Sequence, residues 1–221
     1  MNTTIDNARI GFLFDLDGVL IESETEYSRI WTEIDRKFHS GYDDLATRIK
    51  GTTLDSIIDT YFPHADRQAI IDMLYDLEGK MVYRWLPGAL DILQFASDHQ
   101  IPTVLVTSSN DVKMAHLHEE IPDFDHWFDH IVTADMISRS KPDPEGYLLG
   151  AKLIGARPEH CAVFEDSYQG VQAGNASGAY VVGVAGTLPA ERIQPFSDII
   201  VHSLEELDFE DLSRILASRE P

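Results

Sequence analysis

The chain has 221 residues, of which 43% are hydrophobic and 25% are charged, a composition that excludes a disordered or fibrous protein. Asp and Glu (38) outnumber Lys and Arg (17), so the formal net charge is −21, and we expect neither nucleic acid nor a membrane surface as a partner. No apolar run approaches the roughly 20 residues of a membrane-spanning helix, and the N-terminus lacks the pattern of a signal peptide, so we expect a cytoplasmic location.

The first part of the chain predicts one buried strand followed by a long helical insertion. Ile10–Phe14 is a short apolar run bounded by turn residues, which is typical of a buried strand. Beyond it, Ser23-Glu24-Thr25-Glu26 fits a capping box at the start of a helix that runs to Phe38. Leu54–Tyr61 predicts a shorter helix. A third helix is indicated by the helical spacing of Ile70, Leu74, Leu77 and Met81.

We therefore predict an all-helical cap domain at residues 23–86, inserted into a core formed by residues 1–22 and 87–221. Pro87-Gly88 ends the helical pattern of the insertion and returns the chain to the core. The long insertion replaces the short connection that would otherwise join the first two strands.

The remainder of the chain alternates between apolar runs and helical patterns. Strands are predicted at Thr103–Val106, Ile131–Val132, Ala162–Phe164, Tyr180–Val184 and Ile199–Val201. Helices are predicted at Ala89–His99, Val112–Glu120, Glu145–Ile154, Tyr168–Ala176 and Asp208–Ala217. This alternation predicts an α/β core with a doubly wound parallel sheet. Cys161, the one cysteine, lies in an apolar run and is interpreted as a buried hydrophobic residue.

Two pairs of acidic residues follow predicted strands. Asp15 and Asp17 come after the first strand and precede Gly18, which permits a sharp turn, and Glu165 and Asp166 follow a later strand. Ligands of open α/β sheets bind at the carboxyl ends of the strands. Four carboxylates meeting there would repel one another, because only Lys141 offsets them, and a cation such as Mg²⁺ would relieve this repulsion. The alternatives are an Asx-capped loop for the first pair and a helix cap for the second.

Two other strand ends offer groups that suit an anion. Thr107 provides a hydroxyl, and the amides of Ser108 and Ser109 follow it before a helix, although an ordinary helix N-cap has the same pattern. Lys141 lies between a strand and a helix in a segment stiffened by two prolines, and a solvated lysine is the alternative. A small helix face that packs close to the sheet is predicted by the repeat of Gly170, Gly174 and Gly178.

Taken together, these segments resemble the four motifs of the haloacid dehalogenase-like hydrolase superfamily. The motifs are Asp15-Leu16-Asp17-Gly18-Val19, Thr107, Lys141-Pro142 and Phe164-Glu165-Asp166-Ser167, in the order and approximate spacing of that family. The helical insertion after the first motif is similar to that of the phosphatase and β-phosphoglucomutase branch. The resemblance implies a Rossmann-like core, dependence on Mg²⁺ and phosphoryl transfer through an aspartyl phosphate.

The resemblance also implies roles for individual residues. Asp15 becomes the nucleophile, and Asp17 becomes first the general acid and then the general base. Mg²⁺ would be held by Asp15, the backbone carbonyl of Asp17 and Asp166, with Glu165 acting through water. Lys141 would neutralise phosphoryl oxygens, and Thr107 with the Ser108 amide would hold one of them. The expected phosphate- and substrate-binding residues are Gly18, Ser108, Ser109, Asn110, Glu24 and Gly51.

Two positions in the predicted cap domain separate possible reactions. Leu54 stands where β-phosphoglucomutases carry an arginine that grips the second phosphate, and Tyr27 stands where they carry a histidine. Both departures favour hydrolysis of a small phosphomonoester, with a sugar or polyol phosphate as the expected substrate. A phosphosugar mutase is the alternative within the same fold. Asp17 argues against the dehalogenases of the superfamily, since cleavage of a carbon–halogen bond needs no acid at that position.

A different alternative is a phospho-accepting signalling module similar to a receiver domain. Receivers also combine an acidic Mg²⁺ site with a Thr and a Lys on a doubly wound sheet. The long insertion and Asp17 both argue against this interpretation. A receiver needs no helical lid, and it carries its phospho-acceptor after a later strand, whereas Asp15 follows the first strand. We expect a small phosphorylated metabolite as the partner, and a monomer or weak homodimer.

Overall fold

The computed structural model describes residues 10–49, 54–109 and 111–219, and six parallel strands form its main sheet. The strands in chain order are β1 (Gly11–Phe14), β2 (Ile21–Glu22), β3 (Arg84–Trp85), β4 (Thr103–Val106), β5 (His130–Val132), β6 (Cys161–Glu165), β7 (Tyr180–Val184) and β8 (Ile199–Val201). The sheet has the order β5-β4-β1-β6-β7-β8. All six strands predicted for the core are confirmed, each within one residue at either end.

The middle of the sheet is buried on both faces, which explains why its strands are continuous apolar runs. Leu13 of β1 faces one side and packs with Val104 and Val163 against helices of that side. Phe12 and Phe14 face the opposite side, where both rings contact Phe164. Every residue of β1, β4 and β6 is buried. The fold is therefore the predicted Rossmann-like α/β architecture.

Helices connect the strands of the sheet, as the alternating pattern predicts. They are α5 (Ala89–Asp98), α6 (Asp111–Glu120), α7 (Glu145–Leu153), α8 (Tyr168–Ser177) and α9 (Ala190–Ile193), and α10 (Phe209–Ser218) follows the last strand. Among these six helices, only the four-residue α9 has no counterpart among the predicted helices, because so short a helix carries no periodicity. Gly174 packs α8 closely against the sheet, since a Cβ there would lie 2.9 Å from Val163.

The glycine repeat of α8 is only partly a packing face. Gly170 lies against Glu165 rather than against an apolar strand residue. Gly178 ends α8 with φ +85° and a Cβ there would meet open space, so its assignment to the packing face is wrong. Its position suits glycine because a left-handed residue after a helix carries a penalty when it has a side chain.

The chain divides into two compact units. The core unit combines the residues up to Glu22 with those from Trp85 onwards, and the inserted unit is Ser23–Arg84. The amide of Leu86 donates to the carbonyl of Leu20 over 2.8 Å, so the core-unit ends of the two connections lie side by side.

The inserted unit contains the helices α1 (Glu24–Phe38), α2 (Leu45–Arg48), α3 (Leu54–Tyr61) and α4 (Arg67–Glu78). The predicted capping box of α1 is wrong, because Ser23 stands at the N-cap but its side chain makes no capping hydrogen bond. Asp66 does cap α4, accepting from the amides of Gln68 and Ala69. The hydroxyl of Tyr27 donates to Glu78 Oε1 over 2.9 Å and so links α1 to α4.

The described residues also bear on the single cysteine and on membrane-spanning helices. Cys161 is buried at the start of β6, and burial raises the pKa of its thiol to about 12, as expected of a hydrophobic rather than a reactive cysteine. Within residues 10–49, 54–109 and 111–219, none of the helices combines the length and the apolar character needed to cross a membrane.

Candidate active site

The polar segments singled out in the sequence meet at one edge of the sheet. β1 pairs with β4 on one side and with β6 on the other, and all three strands run parallel. Asp15 therefore follows β1 at the same edge where Thr107 follows β4 and where Glu165 ends β6. From β1 the chain adds β4 and β5 on one side of the sheet and then β6, β7 and β8 on the other. The carboxyl end of β1 therefore lies at the point where the strand order reverses, which is where ligands of such sheets bind.

Three carboxylates form a buried acidic group at this edge. Asp15, Glu165 and Asp166 each offer a carboxylate oxygen, and these oxygens lie within 4.8 Å of one another. The three residues are 8%, 0% and 4% exposed, respectively. Carboxylates so close together and so far from water repel strongly, so the group needs compensating positive charge.

Lys141 supplies part of that charge. Its Nζ lies 2.6 Å from Asp15 Oδ1 and 2.6 Å from Glu165 Oε1, and it donates to the carbonyl of Val106 over 3.1 Å. Burial opposes the charge on Lys141, but the Asp15 and Glu165 carboxylates outweigh it and raise the pKa of the ammonium. Lys141 is therefore a fixed cation that contacts two of the three acids.

Glu165 has hydrogen-bond donors on both of its carboxylate oxygens. Oε1 accepts from Lys141 and from the Tyr147 hydroxyl, the latter over 2.6 Å. Oε2 accepts from the amides of Asp166 and Ser167 and from the Ser167 hydroxyl at 3.0 to 3.2 Å. A Cβ at Gly170 would lie 1.9 Å from this carboxylate, so only glycine leaves room for it. Ser167, not Glu165 or Asp166, provides the N-cap of α8.

The negative charge that Lys141 does not compensate is reflected in the raised pKa values of Asp15 and Asp166. Burial raises the pKa of Asp15 to about 7, with Lys141 opposing the rise and Glu165 adding to it. Burial also raises the pKa of Asp166 well above its ordinary value, and the carboxylates of Glu165 and Asp15 raise it further. A hydrogen bond from Thr187 lowers the pKa of Asp166, but less than these effects raise it. Asp15 and Asp166 are thus carboxyls whose ionised forms lack sufficient positive charge nearby, and hard divalent cations bind such oxygen donors.

Asp17 lies outside the acidic group and has its own cation. Lys113 Nζ lies 2.8 Å from Asp17 Oδ1 and 2.7 Å from Asp17 Oδ2. The Ser109 hydroxyl lies 3.5 Å from Asp17 Oδ2, a distance at which a hydrogen bond is weak. The expectation that Lys141 alone offsets four converging carboxylates is therefore wrong, because Lys113 neutralises the fourth.

Gly18 is required by the turn that follows Asp17. Its φ is +77°, and a Cβ there would lie 1.9 Å from Asp166 Oδ2 and 2.7 Å from the Thr187 hydroxyl. Its amide donates to the carbonyl of Ile21 over 2.9 Å. The structure thus gives Gly18 a place beside the acidic group, and its contact with a phosphate stays a prediction.

The segment after β4 presents a hydroxyl at the same edge. The Ser109 amide donates to Thr107 Oγ1 over 3.0 Å, and both residues are buried, whereas Ser108 is exposed. A hydroxyl that accepts this bond keeps its own hydrogen for donation to an anion. Glu24 is the first residue of α1 in the inserted unit, and its role stays a prediction. Gly51 and Asn110 lie outside the described residues.

Sequence reasoning missed Lys113, Tyr147 and Thr187. Lys113 and Tyr147 lie in the first turns of α6 and α7, the helices that follow Thr107 and Lys141, so their helical positions were a usable signal. First-turn residues of these helices lie close to the same edge of the sheet. Thr187 lies after β7, at a strand end where no charged residue marks a site in the sequence.

Comparison with known proteins provides independent information. A family model described as haloacid dehalogenase-like hydrolase matches residues 11–178. The chain is 32% identical over 202 residues to hexitol phosphatase A of Escherichia coli (strain K12), covering 89% of this chain and 92% of that protein. It is 27% identical over 214 residues to β-phosphoglucomutase of Bacillus subtilis (strain 168), covering 90% and 91% of the two chains.

The fold is also similar to that of a solved structure. A family IA, variant 3 hydrolase from Entamoeba histolytica HM-1:IMSS superimposes with a TM-score of 0.79 at 22% identity, covering 94% of this chain and 99% of that one. At this level of identity the likeness establishes the fold alone.

Proposed function

Because the chain belongs to the haloacid dehalogenase-like hydrolase family, we propose that it hydrolyses a small phosphomonoester, a sugar or polyol phosphate, through a covalent intermediate on Asp15. The observation that carries the proposal is the placement of Asp15. Its buried carboxylate contacts the fixed cation Lys141, and the partly exposed carboxylate of Asp17 follows two residues later in the same loop. A buried carboxylate beside a lysine is suited to attack a phosphorus atom whose oxygens that lysine neutralises.

The first half of the reaction transfers the phosphoryl group to the enzyme. An Asp15 oxygen bonds to phosphorus while the ester P–O bond breaks. Asp17, in its protonated form, gives a proton to the departing alkoxide, which leaves as a neutral alcohol. Thr107 is placed to donate its hydroxyl hydrogen to a phosphoryl oxygen, since that hydroxyl already accepts from the Ser109 amide.

The second half regenerates the enzyme. Asp17, now a carboxylate, takes a proton from a water molecule whose oxygen bonds to phosphorus. The bond between phosphorus and Asp15 breaks and inorganic phosphate leaves, so that Asp15 is again a carboxylate and Asp17 again holds a proton. Each half of the reaction therefore uses Asp17 in the opposite protonation state.

The acidic group fits a divalent cation, and Mg²⁺ is the ion that the family resemblance implies. Asp15 and Asp166 are the expected side-chain ligands, because burial and the neighbouring Glu165 carboxylate raise the pKa of both carboxyls. Glu165 is better suited to hold Lys141 and the turn before α8, since both of its oxygens already accept hydrogen bonds. When bound, the cation supplies charge that stabilises the phosphoryl oxygens.

Leu54 and Tyr27 favour hydrolysis over mutase chemistry. A mutase must retain a bisphosphate while it reorients, so its cap needs a cation for the second phosphate, and Leu54 cannot supply one. The Tyr27 hydroxyl donates a hydrogen bond to Glu78 within the inserted unit. The similarity to a β-phosphoglucomutase keeps the mutase as the second candidate.

A panel of phosphate esters tests the proposal and separates the two candidates. We expect Mg²⁺-dependent release of inorganic phosphate from hexitol and hexose phosphates such as sorbitol 6-phosphate, mannitol 1-phosphate and fructose 1-phosphate. With β-glucose 1-phosphate and catalytic glucose 1,6-bisphosphate, we expect inorganic phosphate or no reaction. Accumulation of glucose 6-phosphate without matching phosphate release would instead establish a mutase. Turnover of none of these esters would contradict the proposed substrate class.

A further inference from the structure

In the Lys113–Asp17 ion pair the lysine is the more deeply buried partner. The Lys113 side chain is 7% exposed, whereas the Asp17 side chain is 31% exposed. An ammonium removed from water is costly unless a charged partner compensates it, and Asp17 is such a partner. The buried end of the pair is therefore the lysine, and the carboxylate faces outward from it.

The contact fixes the orientation of the Asp17 carboxylate. Lys113 Nζ lies at nearly equal distances, 2.8 and 2.7 Å, from the two oxygens. A single contact to one oxygen would leave the carboxylate free to rotate about its last bond, whereas contact with both restricts that rotation. Lys113 itself lies on α6, a helix that follows β4 directly after the Thr107 segment. The helix therefore anchors the carboxylate of the loop after β1.

We propose that Lys113 is a positioning residue, which holds the Asp17 carboxyl in the orientation from which it exchanges protons with the leaving alcohol and with water. The proposal rests on the proposed function, because it assumes that Asp17 is the acid and base of a phosphoester hydrolysis. A displacement of the proton donor by about one ångström is enough to slow proton transfer. Loss of the contact with Lys113 therefore slows the step in which Asp17 gives or takes a proton. Lys113 differs in this respect from Lys141, which contacts Asp15.

The leaving group of the substrate reports on this role. An alkyl phosphate such as sorbitol 6-phosphate releases a basic alkoxide and needs the proton, whereas para-nitrophenyl phosphate releases an acidic phenol and needs it little. A residue that only stabilises the fold would change the initial rate of alcohol or phenol release by the same factor for both esters. A residue that binds the phosphoryl group would raise KM for both esters.

The experiment measures kcat, KM and the initial rate of alcohol or phenol release in the first turnover for the two esters, at one pH and saturating Mg²⁺, in the wild type and in Lys113→Met, Asp17→Asn and the double variant. Lys113→Met keeps an unbranched side chain that is one atom shorter and removes its charge. We expect Lys113→Met to lower kcat for sorbitol 6-phosphate by about tenfold or more, which is less than the loss expected when an acid–base group is removed altogether. The initial release of para-nitrophenol should fall much less. In the Asp17→Asn background, Lys113→Met should add little for either ester.

Three further measurements keep the result interpretable. Lys113→Arg should recover part of the lost kcat for sorbitol 6-phosphate, because a guanidinium can also contact both oxygens. Lys152→Met is the matched control at an exposed helix position of the core unit and should leave both activities unchanged. If Lys113→Met does not fold, as shown by thermal unfolding, Lys113→Gln also removes the charge and provides the same comparison.

The outcomes separate failure of this proposal from failure of the proposed function. Equal losses, for the two esters, of the initial rate of alcohol or phenol release in Lys113→Met, together with a leaving-group-dependent loss in Asp17→Asn, would overturn the role of Lys113 alone. A raised KM for both esters that persists in the double variant would also overturn it and make Lys113 a phosphate ligand. If Asp17→Asn itself shows no leaving-group dependence in initial release, both proposals are wrong.

Discussion

The Tyr147 hydroxyl donates a 2.6 Å hydrogen bond to Oε1 of Glu165, a carboxylate with no exposed surface. The same oxygen accepts from Lys141, whose ammonium lies 5.1 Å from the centre of the Tyr147 ring. Tyr147 therefore supports both members of the Lys141–Glu165 pair from α7. Because Glu165 is fully buried, the loss of one of its donors is not compensated by water.

We expect Tyr147→Phe to lower the free energy of unfolding by about 1 to 3 kcal/mol, since it removes a buried hydrogen bond to a charged group and keeps the ring. Urea unfolding in the presence of chelator measures this change. Tyr75→Phe, at a side chain that is 44% exposed, is the matched control and should stay within about 0.5 kcal/mol of the wild type. Equal stabilities for the two variants would show that the Tyr147 bond contributes nothing net.

Removal of the divalent cation should affect stability as well as activity. We expect excess Mg²⁺ to raise the unfolding temperature of the wild type and chelation to abolish phosphate release, because the cation relieves repulsion within the acidic group. Asp166→Asn should abolish the Mg²⁺-dependent rise, whereas Asp91→Asn, at an exposed position of α5, should preserve it. Full turnover in excess chelator would contradict the metal assignment.

The stability of the metal-free protein should depend on pH through Asp15. The pKa of Asp15 is raised from 3.8 to about 7 in the folded protein, so the folded state holds this proton more tightly than the unfolded state does. The resulting stabilisation is present at low pH and is lost as pH rises between these two values, by up to roughly 1.4 kcal/mol for each pH unit. Asp15→Asn cannot titrate and removes this dependence.

The measurement is urea unfolding of the wild type and Asp15→Asn in chelator at pH 5, 6 and 7. The free energy of unfolding of the wild type should fall relative to that of the variant as pH rises. A difference that stays constant, or that changes in the opposite direction, would show that Asp15 ionises in the folded protein as easily as in the unfolded chain.

Gly18 and Gly178 form a matched pair that isolates steric effects at the site. Both have positive φ, at +77° and +85°, so alanine is strained at either position by about 1 to 2 kcal/mol. A Cβ at Gly18 would in addition collide with Asp166, whereas a Cβ at Gly178 would meet open space. We expect both variants to lose stability, but only Gly18→Ala to lose most of its phosphatase activity and its stabilisation by Mg²⁺. Similar activities in the two variants would contradict the close approach of Gly18 to Asp166.

The sequence predicts the core of the fold well because its signals are local. Continuous apolar runs identify the strands, and a strand such as Thr103–Val106 has the same bounds in the structure. The order of the strands also brings Asp15, Glu165 and Asp166 to one edge, so their convergence follows from topology. The failed capping box at Ser23 shows the limit of such patterns, since a motif permits a side-chain bond without forming it.

The sequence cannot predict which cation contacts which carboxylate. Lys113 and Lys141 lie on different segments, and a pairing such as Lys113 with Asp17 depends on how α6 is rotated against the loop after β1. The same holds for Gly170, whose spacing suggests packing on the sheet but whose neighbour is the Glu165 carboxylate. Contacts of this kind depend on the relative positions of side chains from distant segments, which periodicity does not encode.

The central claim is that Asp15 carries the phosphoryl group, and the Asp17→Asn variant with para-nitrophenyl phosphate tests it most directly. The activated phenol leaves without an acid, but hydrolysis of the intermediate still needs the base, so the phosphoenzyme should accumulate. We predict a burst of one para-nitrophenol per active enzyme, and, after acid quenching and proteolysis, mass spectrometry should place the phosphoryl group on Asp15. The Asp15→Asn/Asp17→Asn double variant should show neither signal. A phosphoryl group on another residue, or a burst that persists in the double variant, would contradict the account.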